Sequence, residues 1–208
     1  MWHLDELLGG PRPADAPTAA PVTGPTDDGL APSLAATMIG VARAALAGQI
    51  LRDVADGFTR MPVEQVRGLQ PLAAGLADQV AILCDGWPAA VADEPRLGAL
   101  GAADLLLLAV AAAPALDRGV ARSYRAGLDH DGVLTIGCVV DLVSPELEER
   151  LALCERLGPD APLRRAGVVD VAGADEVAVS TPVAVAPWVL GLVRSTSLAP
   201  SGEPLIPA

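Results

Sequence analysis

The sequence predicts a mainly α-helical protein: a helical hairpin or small bundle, then a helix-rich second half that closes on a small β-hairpin and one last helix. Three observations predict it. Hydrophobic residues make up 51% of the 208-residue chain while aromatics are only 2%, so the apolar mass is Ala, Leu and Val, which fill closely packed helices better than wide sheets. Apolar positions recur at helical spacing between capping and proline signals from Ser33 onward. Strand-like alternation is confined to the stretch after Gly167.

Residues 1–32 read as a flexible peptide and linker. Prolines 11, 13, 17, 21, 25 and 32 are mixed with Gly, Ala, Thr and Asp, a composition that cannot build a core or regular hydrogen bonding. Ahead of it, Trp2, Leu4, Leu7 and Leu8 lie at helical spacing, a typical anchor set for helix-in-groove docking. The competing reading is a frayed terminus, or a turn packed on its own domain.

Residues 33–95 read as a helical subdomain. Ser33 is placed to cap a helix carrying Leu34, Met38, Val41, Ala45, Leu46, Ile50 and Val54 as far as Gly57. Pro62 can occupy the first turn of a second helix, Pro71 interrupts it, and Leu72, Leu76, Val80 and Leu83 resume the stripe until Asp85-Gly86-Trp87-Pro88 breaks it. Asp93-Glu94-Pro95 then marks the expected boundary.

Residues 96–194 read as the second unit. Ala103 to Ala113 is apolar nearly all round, as a central core helix should be, and Pro114 is expected to end it. Asp117 caps a helix with Val120, Tyr124 and Leu128, Asp131-Gly132 turns, and Val133 to Val143 is a short apolar helix with some strand character. Ser144-Pro145-Glu146-Leu147 is a helix start, with Ser144 as cap and Glu146, Glu148 and Glu149 at the positive end of the dipole, the helix running to Leu157-Gly158. Val168 to Val171 and Glu176 to Val179 alternate around Ala172-Gly173-Ala174-Asp175, the expected hairpin, and Pro187 opens a final helix through Trp188 and Leu192. Helices followed by a hairpin describe a winged-helix-like domain. Residues 195–208 read as a flexible tail.

Composition excludes several functions. All fourteen basic residues are arginine, so no lysine is present to cradle phosphate or form a Schiff base. The net charge is −12; over 96–194 nine arginines face thirteen acids, a net of −4 without a basic stripe, which disfavours a nucleic-acid partner. Cys84, Cys138 and Cys154 show no CxxC spacing and their odd count fits a reducing cytoplasm better than a disulfide framework. The acidic start Met-Trp-His-Leu-Asp-Glu is unlike a secretory leader. Leu105 to Leu116 is free of charge, but twelve residues cover only about 18 Å of a hydrocarbon core about 30 Å thick; Ser33 to Leu51 holds Arg43 and Gln49. No membrane partner is expected.

The stretch from Ala103 through Ala113-Pro114-Ala115-Leu116-Asp117, then Tyr124 and Asp129-His130-Asp131, resembles the variant winged-helix region that lies ahead of the ATPase module in certain bacterial AAA ATPases. Pro159 to Gly167 is similar to that family's segment into the wing, and Val189-Leu190-Gly191 to its closing helix. The resemblance covers roughly Leu97 to Val193. This sequence carries neither the phosphate-binding loop nor the acidic metal-binding strand of those ATPases, so the resemblance implies a partner-binding region without nucleotide chemistry. It implies an AAA ATPase or a component of a contractile, phage-tail-like injection assembly as the partner.

Candidate sites are few. Asp129-His130-Asp131 could ligate a metal or act as an acid/base pair, but a metal needs three or four converging ligands and the other histidine is His3. The cysteines have no histidine placed beside them, and Ser180-Thr181, Ser195-Thr196-Ser197 and Ser201 have neither a nucleophile elbow nor a base. Glu146, Glu148 and Glu149 fit a helix first turn better than a carboxylate pair. Trp188 reads as a core anchor. Val133 to Leu142 lacks side chains that read base edges. The expectation is a non-enzymatic adaptor with no cofactor and no metal, binding a protein partner through Trp2, Leu4, Leu7, Leu8 and the Arg164-Arg165 pair. The alternatives are an enzyme centred on Asp129, His130 and Asp131, or an acidic winged-helix transcription regulator.

Overall fold

The computed structural model describes residues 33–127, 133–171 and 178–196. It is mainly helical with a two-stranded antiparallel sheet. In chain order the elements are α1 (Leu34–Ala55), α2 (Val63–Ala74), α3 (Leu76–Ala90), a 3₁₀ turn (Pro95–Leu97), α4 (Ala102–Leu116), α5 (Arg118–Gly127), α6 (Ile136–Val143), α7 (Leu147–Glu155), α8 (Pro162–Arg165), β1 (Val169–Val171), β2 (Val183–Val185) and α9 (Pro187–Ser195).

Helix α1 starts where its cap dictates: Ser33 Oγ accepts from the Ala36 N–H at 3.1 Å. It ends at Asp56, and Gly57, at φ +80°, makes the left-handed turn that follows. By length and composition α1 is apolar enough to cross a membrane, yet ten of its residues are buried in the protein core. Helices α2, α3 and α4 pack along it. One continuous core joins Met38, Leu46 and Ile50 of α1, Trp87 of α3, Leu108 of α4, Val139 of α6, Val169 of β1 and Val189 of α9. The 95/96 boundary therefore does not divide the core.

Polar ties also cross that line. The Leu34 N–H donates to the Thr196 carbonyl at 3.1 Å, and Arg52 of α1 donates to the Asp141 carbonyl at 3.1 Å, at the end of α6. A guanidinium there satisfies carbonyls with no helical donor and complements the negative end of the dipole. Burial pushes the Arg52 pKa down, while Asp53 and Asp141 oppose that shift.

Several elements differ from the sequence expectation. Pro88 does not break α3, which continues to Ala90; Trp87 is buried and its Nε1–H donates to the Leu97 carbonyl at 3.0 Å. Pro88 itself is exposed, so its ring takes no place in the core. Pro114 does not end α4 either, which runs to Leu116. The Val110 carbonyl that a residue-114 N–H would have satisfied instead accepts from the Tyr124 hydroxyl at 3.3 Å. Tertiary contact thus rescues a helix that local rules would stop.

Ser144 is not the cap of α7. Its hydroxyl accepts from the Glu146 N–H at 3.2 Å and bonds the Glu149 carboxylate, so Ser144 and Pro145 make a turn and the helix begins at Leu147 and ends at Glu155. The strand that returns to β1 is Val183–Val185, not the expected Glu176 to Val179: Val169 pairs with Val185 and Val171 with Val183. Residues 172–177, including the expected turn, lie outside the described residues. Both candidates alternate, but this register buries Val183 while Val179 stays 64% exposed. Residues 179–182 run beside the start of α6, where the Gly137 N–H donates to the Val179 carbonyl at 2.8 Å and Thr135 bridges to Pro182.

Candidate docking surface

Helix α7 is short and under-packed. Its main neighbour is α6, and Leu153 is its buried residue. Nine residues are too few for a helix to persist alone in water, so α7 is held by its Leu153 contact, by Ser144–Glu149 at its start, and by two ion pairs. Arg150 pairs with Asp141, and Arg156, just past the helix, pairs with Asp104 at 3.0 Å. The Asp104 side chain is 2% exposed and its other oxygen accepts from the Gly101 N–H at 3.0 Å. Buried carboxylates require such partners.

The outer face of α7 is apolar. Leu147 is 68% exposed and Leu151 58%, four residues apart and therefore adjacent on the helix. Leu151 continues into an open groove of about 670 Å³ lined also by Cys154, Pro159 and Pro162 and, among charged residues, by Glu155, Arg156 and Asp160. Neighbouring exposed leucines beside a groove of mixed apolar and charged lining make this face the candidate docking surface. Phe58, 84% exposed on the turn after α1, and Val63 at the start of α2 are further exposed apolar residues. Arg165 is exposed on α8, next to the groove's Pro162, whereas Arg164 is half-exposed and already engaged.

Trp2, Leu4, Leu7 and Leu8 lie outside the described residues, as do Asp129, His130 and Asp131. Among the described residues no group of three His, Cys, Asp or Glu side chains is placed to hold a metal. Cys138 is buried and its sulfur accepts from the Thr135 hydroxyl at 3.1 Å. Burial pushes the Cys84 thiol up, helped by Asp85; it also raises Cys154, where Arg150 opposes and Asp141 reinforces. Raised thiols are poor nucleophiles at neutral pH. The Ser195 and Thr196 hydroxyls donate to the Leu192 carbonyl at the end of α9. Trp188 is half-buried, donates to the Gly167 carbonyl at 3.2 Å, and carries the Arg96 guanidinium 4.9 Å above its ring, a cation–π contact.

Sequence reasoning missed Leu147 and Leu151 as surface residues. A signal was there: Leu147/Leu151 and Leu153/Leu157 are two i, i+4 pairs, about 120° apart around a helix. A single neighbour can bury one pair only. Compared with protein-family models, with curated proteins and with solved structures, the chain matches none of them.

Proposed function

We propose that this chain is a non-enzymatic protein-interaction module built on a winged-helix-like second half. The exposed Leu147 and Leu151 on α7 carry the reading, because neighbouring apolar side chains left in water are what a partner's burial rewards. The order α6, α7, α8, β1, β2, with residues 134–135 alongside β2 through the Leu134 carbonyl and the Thr135 bridge, supports a winged-helix-like arrangement. In such an arrangement the buried α6 cannot be the reading helix and the exposed α7 can. It presents Glu146, Glu148, Glu149 and Glu155, which repel phosphate and disfavour the transcription-regulator alternative.

The partner class follows from the family resemblance: an AAA ATPase or a component of a contractile injection assembly. The test is co-elution of the full chain with such an ATPase encoded nearby, using wild type and Leu151→Asp. Co-elution that is lost in Leu151→Asp supports the proposal; independent migration of wild type against every such partner overturns it.

A further inference from the structure

The α7 face carries its apolar stripe inside an acidic rim. Glu146, Glu148, Glu149, Glu155 and Asp160 are all exposed around Leu147, Leu151 and the groove. Over 146–162 those five acids face two arginines, a net of −3; Arg156 also lines the groove, and just past the stretch Arg165 stands exposed beside Pro162. Both arginines already pair with acids outside the stretch, Arg150 with Asp141 and Arg156 with Asp104. The rim is therefore more negative toward an approaching partner than its formal charge indicates.

We infer that this face takes a basic amphipathic helix of another protein. Apolar side chains at i, i+4 spacing pack over Leu147 and Leu151 and into the groove, and flanking arginines or lysines meet the glutamates. The inference rests on the interaction-module reading and adds the partner's chemistry. Charge decides between occupants. A second copy brings the same rim on a chain of net charge −12, and the Trp2 to Leu8 peptide carries Asp5 and Glu6 with no arginine or lysine; like charges across an interface select against both.

Two synthetic helical peptides test it, each with leucines at i, i+4, i+7 and i+11 in an alanine frame, one flanked by arginines and the other by glutamates. Binding to the full chain is measured by fluorescence anisotropy at low and high salt. The arginine peptide is expected to bind about tenfold tighter or more at low salt, with the gap closing as salt screens the rim. Leu151→Asp should weaken it about tenfold or more, and Glu148→Arg with Glu155→Arg should reverse the peptide preference. Both sets of positions are exposed, so circular dichroism of the variants should match wild type. Equal binding of the two peptides, unaffected by Glu148→Arg with Glu155→Arg but lost in Leu151→Asp, overturns the charge inference and leaves the module reading standing. No binding of either peptide overturns the inference, and co-elution with an ATPase then decides the module reading separately. Sedimentation showing a wild-type dimer that Leu151→Asp dissociates, or displacement of the arginine peptide by a peptide of residues 1–8, identifies another occupant and overturns it as well.

Discussion

Tyr124→Phe, made with and without Pro114→Ala, tests how α4 passes its proline. Pro114 has no N–H, so the Val110 carbonyl lacks its helical donor and accepts from the Tyr124 hydroxyl at 3.3 Å. Val110 is 0% exposed and Tyr124 4%, so water cannot replace the hydroxyl. A buried carbonyl left without a donor costs about 1–3 kcal/mol; 3.3 Å is long for a hydroxyl donor, which places the loss near the lower end, about 1 kcal/mol. For a chain of this length that is a Tm drop of about 2–4 °C. With Pro114→Ala, the alanine N–H satisfies Val110 and Tyr124→Phe should cost less than about 0.5 kcal/mol. Urea unfolding followed by far-UV circular dichroism in all four proteins measures the coupling. Costs in the two backgrounds that agree within about 0.3 kcal/mol would refute the reasoning.

Alkaline pH reports the same residue, because burial holds the Tyr124 phenol well above its ordinary value. The unfolded chain ionises near pH 10 and the folded one does not, so above about pH 10 the unfolded state binds fewer protons and stability falls by up to about 1.4 kcal/mol per pH unit. Urea midpoints across that range should fall less steeply in Tyr124→Phe than in wild type; parallel slopes refute it. Arg156→Ala should cost about 1–2 kcal/mol, since Asp104 is left buried with one backbone donor but the half-exposed arginine site admits water; the readout is the urea midpoint against Arg156→Lys. Gly167→Ala should cost about 1 kcal/mol or more, because φ is +66° there and an L side chain is strained in that region. Leu151→Asp should change stability by less than about 0.5 kcal/mol, its side chain being 58% exposed; a larger loss would mean that α7 packs on the core through that residue.

Most helices were legible because their signals are local. Ser33 caps α1, Asp117 Oδ1 accepts from the Val120 N–H at 2.7 Å to cap α5, and Pro187 opens α9, each as the spacing predicts. The misreadings have a common cause. Pro71, Pro88 and Pro114 all lie inside helices, the carbonyl freed by Pro114 being satisfied by Tyr124, and Ser144 turns its oxygen to the Glu146 N–H and its proton to Glu149, ahead of the first turn of α7. The return strand was misplaced because Glu176 to Val179 and Val183 to Val185 alternate alike, and only pairing with β1 distinguishes them. The candidate docking face was half legible: the glutamates were placed at the start of α7, but the exposure of Leu147 and Leu151 was not.

Sequence alone determined the helical class, the apolar central helix, the acidic and lysine-free chemistry, and the absence of a phosphate-binding loop from these 208 residues. These depend on residue type and near-neighbour spacing. Tertiary structure decided that one core runs through both halves, that Tyr124 carries α4 past its proline, and that α7 buries Leu153 while leaving Leu147 and Leu151 in water. Those outcomes depend on which surfaces meet, and a helix with two apolar faces does not encode which of them its neighbour will cover.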